Sequence, residues 1–327
     1  MASIALSGTT SSSASNTDRK ERRGHEYHAE ANLLSGRLER PIVQKIPLQG
    51  ELSLQEWRGG HLYQRVPGYD LEGLVSFKGG YTRVSGYRSQ KKSNSFVTLA
   101  TSVIEGLIVF DVLTADRVVA QVLTEHPHPQ KGDLGHVPRV SFLGTQFTNL
   151  MISGYRVDVT VDTEICGDRR KAQPTYLEDP AFLKRVRPQA EKILKFSNIP
   201  VGLRETSGKF LKDYRTNSDI QSIVNLPEPY DEKSGRKLVC SLIKKISLPK
   251  ELRGVEAVEN VLYISDFGIV SLGSLEVGQK FEKGDDKDDK GGVSNYFTVK
   301  MLDMRLGCAG EGSLVAVTSN GNGRTKP

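Results

Sequence analysis

The sequence has no long apolar run and few cysteines, and each absence excludes a class of protein. No stretch approaches the ~18 consecutive apolar residues of a membrane-spanning helix, so no membrane insertion is predicted. Three cysteines in 327 residues do not form a disulfide framework. Reduced thiols are favoured, although one bridge between two of Cys166, Cys240 and Cys308 stays open. The first residues lack the basic and apolar regions of a secretory signal, so a cytoplasmic protein is the default expectation.

The motifs of the common catalytic folds are also missing. The chain contains no Gly-x-Ser-x-Gly nucleophile elbow, no Gly-x-Gly-x-x-Gly dinucleotide loop and no phosphate-binding Gly-x-x-x-x-Gly-Lys-Ser/Thr loop. The sequence therefore predicts no catalytic residue and no cofactor. Aromatic residues are only 7% of the chain, so a stacking platform for a glycan has few candidates. These candidates are Trp57, Tyr63, Tyr69 and Tyr81.

The composition that is present suits a globular protein rich in turns. Hydrophobic residues make up 37% and charged residues 26% of the chain, the net charge is +6, and glycine accounts for 32 residues. Residues 96–104 and 117–124 are rich in β-branched side chains, and Val157, Val159 and Val161 alternate with polar residues, which is typical of a half-buried strand. Strands with turns at short, regular spacing predict a β-sandwich or barrel.

The composition changes after residue 165. Asp179 followed by Pro180 is a helix-start signal, and apolar residues then recur every three or four positions over residues 181–197. We therefore predict an all-β fold, sandwich or barrel-like, with a helical insertion, which makes the chain a β-rich α+β protein overall. The predicted segments are a disordered arm (1–28), a β-rich first half (29–165), a basic helical insertion (166–236), the second half of the same β unit (237–318) and a flexible tail (319–327).

A histidine-rich loop is the strongest candidate for chemistry. His126, His128, Asp133 and His136 lie within eleven residues and could offer nitrogen and oxygen ligands to a metal. Prolines and glycines between them predict a loop, and the spacing matches no closed zinc motif. An exposed polar hairpin is therefore the competing interpretation, and it is favoured.

Three other clusters have simpler interpretations. His25 and His28 are spaced as metal ligands can be, but they adjoin the predicted arm. The aspartates at 285, 286, 288 and 289 lack the order of a calcium-binding loop and are interleaved with lysines. The insertion carries a basic face that could contact nucleic acid, but a solvated helix surface is favoured. This face comprises Lys184, Arg185, Arg187, Lys192 and Lys195.

Four blocks resemble a family of bacterial surface domains. Residues 102–120, SVIEGLIVFDVLTADRVVA, and residues 142–157, FLGTQFTNLMISGYRV, are similar to the choice-of-anchor P family, and residues 267–272 and 296–306 fit its later strands. The resemblance implies an extracellular-type β domain with no established chemistry and no catalytic residues. Cell-surface association is implied by this resemblance alone.

These observations favour a non-enzymatic structural or binding β protein that assembles with copies of itself. Two alternatives stay open. One is a module that binds a small molecule or a carbohydrate, and the other is a metal-dependent enzyme built on the histidine loop. A nucleic-acid partner is disfavoured.

Overall fold

The computed structural model describes residues 25–89, 95–127, 137–167, 175–196, 204–205, 207–209, 211–212, 236–282, 292–307 and 311–325. They form two large antiparallel sheets packed face to face, so the chain is an all-β sandwich with a helical insertion. The nine strands of the first sheet are β1 (His25–Arg40), β2 (Gln44–Gln49), β3 (Leu52–Glu56), β15 (Arg236–Ser241), β17 (Val255–Val258), β18 (Val261–Ile264), β19 (Gly268–Glu282), β20 (Gly292–Leu306) and β21 (Glu311–Thr325).

The second sheet is built entirely from the first half of the chain. Its ten strands are β4 (Gly60–Val66), β5 (Tyr69–Leu71), β6 (Val75–Phe77), β7 (Gly79–Arg88), β8 (Phe96–Val109), β9 (Leu113–His126), β10 (Arg139–Ser141), β11 (Gln146–Thr148), β12 (Met151–Ile152) and β13 (Tyr155–Arg156). A separate pair joins β14 (Asp158–Val161) to β16 (Ile243–Ser247). In β14 the valines are partly buried and Asp158 and Thr160 are exposed, which confirms the predicted alternation.

The two ends of the described chain lie side by side in the first sheet. Strand β1 pairs antiparallel with β21 from His25 opposite Thr325 to Arg40 opposite Glu311. The strand order is β17-β18-β19-β20-β21-β1-β2, so β1 and β2 from the start of the chain adjoin strands from its end.

Two predicted boundaries are wrong at these ends. The arm was expected to reach residue 28 and the flexible tail to begin at residue 319, but β1 starts at His25 and β21 continues to Thr325. The tail's glycines do not mark a turn. A Cβ on Gly321 would lie 2.9 Å from Val122, and one on Gly323 would lie 2.9 Å from His126, so these glycines let the two sheets approach closely.

Small hydroxyl side chains join the two sheets at the centre of the sandwich. Strands β1, β20 and β21 pack against β7, β8 and β9. The Ser102 hydroxyl donates to the carbonyl of Thr318 at 2.6 Å, and the Ser319 hydroxyl donates to the carbonyl of Ala120 at 3.1 Å. Because both hydroxyls find acceptors across the interface, these polar groups are buried without an unpaired donor.

The predicted helix is present as α1 (Pro180–Lys195). The Asp179 carboxylate accepts a hydrogen bond from the backbone N–H of Ala181 at 2.8 Å, which confirms the predicted N-terminal cap. The helix packs on β15, and Gln189 fixes it there by bonding both the N–H and the carbonyl of Ser241, at 2.9 and 3.1 Å. The buried face of α1 comprises Phe182, Leu183, Val186, Ala190 and Ile193. No helix in the described part of the chain is long and apolar enough to cross a membrane.

The predicted basic face of the insertion is largely engaged with the protein itself. Arg185 donates to the carbonyls of Ile165 and Cys166 at 2.7 and 2.9 Å, so it fixes the preceding loop. Arg187 pairs with Glu191, and Lys192 pairs with Glu259.

The cysteines of the described core are packing residues. Cys166 and Cys240 are buried free thiols. Burial raises the pKa of both thiols, that of Cys240 to about 12, which keeps them protonated and unreactive at neutral pH. Cys308 lies outside the described residues.

Candidate functional site

The predicted metal loop contributes one described residue. His126 is the last residue of β9 and its side chain is 2% exposed, so it is not part of an exposed hairpin. His128, Asp133 and His136 lie outside the described residues, as do the four aspartates at 285–289. Within the described ranges, no group of three or more potential metal ligands comes together.

The structure instead places His126 beside His25, although no local sequence pattern pairs the two residues. The centroids of the two imidazole rings are 4.8 Å apart. His25 stacks on Phe96 at 4.6 Å with an angle of 5° between the rings, and it meets Tyr27 edge-on at 4.7 Å. We name these four residues, His25, Tyr27, Phe96 and His126, the imidazole cluster.

Burial keeps two members of the imidazole cluster, His25 and Tyr27, uncharged at neutral pH. Burial lowers the pKa of His25 to about 3 and raises the pKa of Tyr27 to about 12, the latter against the opposing charge of Arg88. Both groups are therefore neutral near pH 7, and a ring that is 2% exposed offers no open face to a substrate. The arrangement packs His25 and Tyr27 of the first sheet against Phe96 and His126 of the second.

A second site lies on the outer face of the second sheet, where tyrosine and arginine alternate on two neighbouring strands. Tyr63 of β4 pairs with Arg83 of β7, and Arg65 of β4 pairs with Tyr81 of β7. Directly opposed residues in an antiparallel pair share a face, so the four side chains project together. The rings of Tyr63 and Tyr81 are 5.8 Å apart, with 32° between their planes. We name this set, with Arg117 of β9 beside it, the Tyr–Arg face.

The four predicted aromatic candidates therefore separate into two groups. Tyr63 and Tyr81 come together on the Tyr–Arg face. Trp57 is partly buried with the Arg58 guanidinium 4.5 Å from its ring centroid, and Tyr69 stacks on Phe77 against the core. The platform is thus two tyrosines rather than four aromatic residues.

The exposed edge of the second sheet forms one margin of this face. Among the described strands, β4 pairs with β7 alone, so its other side presents unpaired backbone groups. Six of its seven residues are exposed, among them Leu62 at 40% and Tyr63 at 56%. The strand carries no proline and no lysine, the residues that commonly protect such edges.

The sequence profile of a domain of unknown function, DUF8256, matches residues 25–278. The chain belongs to the DUF8256 family. No curated protein and no solved structure matches it. The part matched to DUF8256 contains the imidazole cluster, the Tyr–Arg face and the β4 edge, and it ends within β19. Strands β20 and β21, which join β19 to β1 in the first sheet, lie beyond it.

Sequence reasoning missed the three arginines of the Tyr–Arg face and the role of His25. Strands β4 and β7 are neighbours in space, but β5 and β6 separate them along the chain, so no local pattern brings Tyr63 next to Arg83. The available signal was the alternation of tyrosine and arginine within each strand, Tyr63 with Arg65 in β4 and Tyr81 with Arg83 in β7.

Proposed function

We propose that this protein is a non-enzymatic structural or binding β protein whose copies associate through the exposed edge of β4. The open β4 edge carries this proposal, because an unpaired strand is a template for pairing with another strand. The burial of all four imidazole-cluster side chains, with His25 neutral near pH 7, supports a role without catalysis.

Three other edges of the first sheet are better protected against pairing. Strand β2 carries Lys45 and Pro47, and β15 carries Arg236 and Lys237 at its start. Strand β17 has only four residues. Proline removes a backbone donor, and exposed lysines oppose the approach of a second edge. Strand β4, with seven residues and one arginine near its end, is the long described edge without these features.

A two-fold antiparallel pairing centred on Tyr63 would use the whole strand. In this register Leu62 of one copy lies opposite Gln64 of the other, and His61 lies opposite Arg65. None of the first five residues of β4 is acidic or β-branched, so none of them opposes this pairing. The interface is isologous, as most dimer interfaces are, and it joins the second sheets of two copies into one continuous sheet.

The experiment measures molar mass by light scattering and sedimentation velocity over a range of concentrations. Wild type is expected to form a dimer. The double variant Leu62→Lys with Gln64→Lys is expected to weaken dimerisation up to about 30-fold, because two lysine–lysine pairs face each other and like charges cost about 0.2–1 kcal/mol per pair.

The matched control keeps the first substitution and reverses the second charge. Leu62→Lys with Gln64→Glu places opposite charges across the same interface and is expected to dimerise at least as well as wild type. Far-UV circular dichroism checks that each variant is folded. A wild-type chain that stays monomeric at its highest soluble concentration contradicts the proposal, as does equal association of the two double variants.

A further inference from the structure

The Tyr–Arg face is a second, independent feature, because its side chains project from the sheet rather than along its edge. Tyr63 is 56% exposed, and Arg65 and Arg83 are exposed beside it. Among the described residues, neither arginine forms a salt bridge. Two guanidinium groups therefore stand next to two aromatic rings with their donors directed to solvent.

Small residues form the base of this face, next to the two rings. Thr101 and Val103 of β8 lie opposite Arg83 and Tyr81, and Val119 of β9 lies opposite Val103. All three are under 10% exposed although their pairing places them on the same side of the sheet as the rings. The surface open to a ligand is therefore formed by the tyrosine and arginine side chains around them.

Arg117 closes the face on the side of β9. Its terminal nitrogen donates to the Tyr81 hydroxyl at 3.5 Å, which holds the tyrosine toward β8. The Nε of Arg117 is buried and has no hydrogen-bond acceptor among the described residues. The Arg117 guanidinium adds positive charge at this margin, and that charge attracts an anion bound to the exposed arginines beside it.

The positive charge of the face is compact. Arg65, Arg83 and Arg117 supply three positive charges. Glu105 of β8 lies opposite Arg117 and supplies a neighbouring negative charge. Strands are ~4.8 Å apart, so β4, β7, β8 and β9 together span about 14 Å. This area suits a short oligosaccharide, whereas a nucleic-acid strand needs a longer cationic track.

We propose that the Tyr–Arg face binds an acidic carbohydrate, a short chain of sugars that carry carboxylates. The tyrosine rings offer flat apolar surface with a polar tip, which suits the apolar face of a sugar ring. The guanidinium groups match a carboxylate with two parallel hydrogen bonds. Both features are needed, since an uncharged sugar would leave the arginines without partners and a simple anion would not use the rings.

The experiment is calorimetric titration of the purified chain with two defined probes, trigalacturonic acid and a hyaluronan tetrasaccharide. Wild type is expected to bind at least one of them. The methyl ester of trigalacturonic acid has the same sugar rings without charge, and its affinity is expected to be at least tenfold lower, as one lost charge-assisted hydrogen bond implies.

Two substitutions test the site itself. Arg83→Gln and Tyr63→Ala are each expected to weaken binding at least tenfold, while Tyr63→Phe retains it because the ring is kept. The matched controls are Tyr155→Ala and Arg156→Gln, an exposed tyrosine and arginine on β13, and these leave affinity unchanged. Far-UV circular dichroism checks that all five variants are folded.

Several results would overturn the proposal. They are no binding of either acidic probe, equal binding of the methyl ester, equal loss in the controls, or tighter binding of oligothymidylate than of both sugars. The Leu62→Lys, Gln64→Lys variant separates this site from the β4 edge, since its substitutions alternate with the residues of the face. It is expected to bind the probes as wild type does whether or not it dimerises.

Discussion

Replacing Phe297 by alanine is expected to lower the free energy of unfolding by about 3–5 kcal/mol, which is the cost of removing a fully buried phenylalanine. Phe297 lies in β20 and is 0% exposed. Its ring meets Tyr176 at 5.4 Å and 89°, and Tyr176 meets Phe182 of α1 at 5.5 Å. The substitution therefore leaves a cavity where the first sheet meets the helical segment.

Urea denaturation followed by circular dichroism measures this loss. Because Phe297→Ala could fail to fold, Phe297→Leu provides a milder case, with an expected loss below about 1.5 kcal/mol. The matched control is Phe196→Ala, because Phe196 is 37% exposed at the end of α1 and its removal is expected to change stability by about 0.5 kcal/mol or less. A loss for Phe297→Ala no larger than that of the control would contradict the packing described here.

Stability is expected to fall as the pH is lowered from about 6.5 towards 3, and His25 is the main described cause. Its pKa is lowered to about 3 in the folded protein by burial, while the unfolded chain has the ordinary value of 6.5. Between these values the unfolded chain binds a proton that the folded one does not. The free energy of unfolding therefore falls by about 1.4 kcal/mol for each pH unit, and the stability is fully present only above pH 6.5.

The variant His25→Phe removes the titrating group and keeps a ring against Phe96, Tyr27 and His126. The quantity compared with wild type is the slope of the free energy of unfolding against pH, measured by denaturation at several pH values. The free energy at any single pH is not the test. The slope between pH 6 and 4 is expected to decrease by about 1.4 kcal/mol per unit. The control Phe196→Leu alters an exposed ring that carries no ionisable group, and is expected to keep the wild-type slope. An unchanged slope in His25→Phe would contradict the assignment of the pH dependence to His25.

Local signals in the sequence were sufficient for the helix and for much of the strand content. Asp179 and Pro180 set the start of α1 because a cap depends on residues within one turn of each other. The β-branched runs at residues 96–104 and 117–124 lie within β8 and β9 because neighbouring residues in a strand alternate between two faces. These rules act over a few residues, so they can be applied without knowing the fold.

The errors arose where distant strands decide the outcome. The glycines and asparagines of residues 319–325 have low strand propensity, yet β1 and β20 hydrogen-bond to this segment on both sides. Arg185 looked like part of a solvated basic face, but the carbonyls of Ile165 and Cys166 lie within its reach. In both cases partners far along the chain override the local preference.

Local sequence patterns were enough to establish the class of protein: a β-rich chain with a capped helix, without spanning helices or recognisable catalytic motifs. Which strands are neighbours, and with them both candidate surfaces, became visible only in the folded chain. Tyr63 meets Arg83, and His25 meets His126, because sheet order depends on long-range pairing and packing between layers. The open edge of β4 has the same origin, since a strand is an edge only by its place in the sheet.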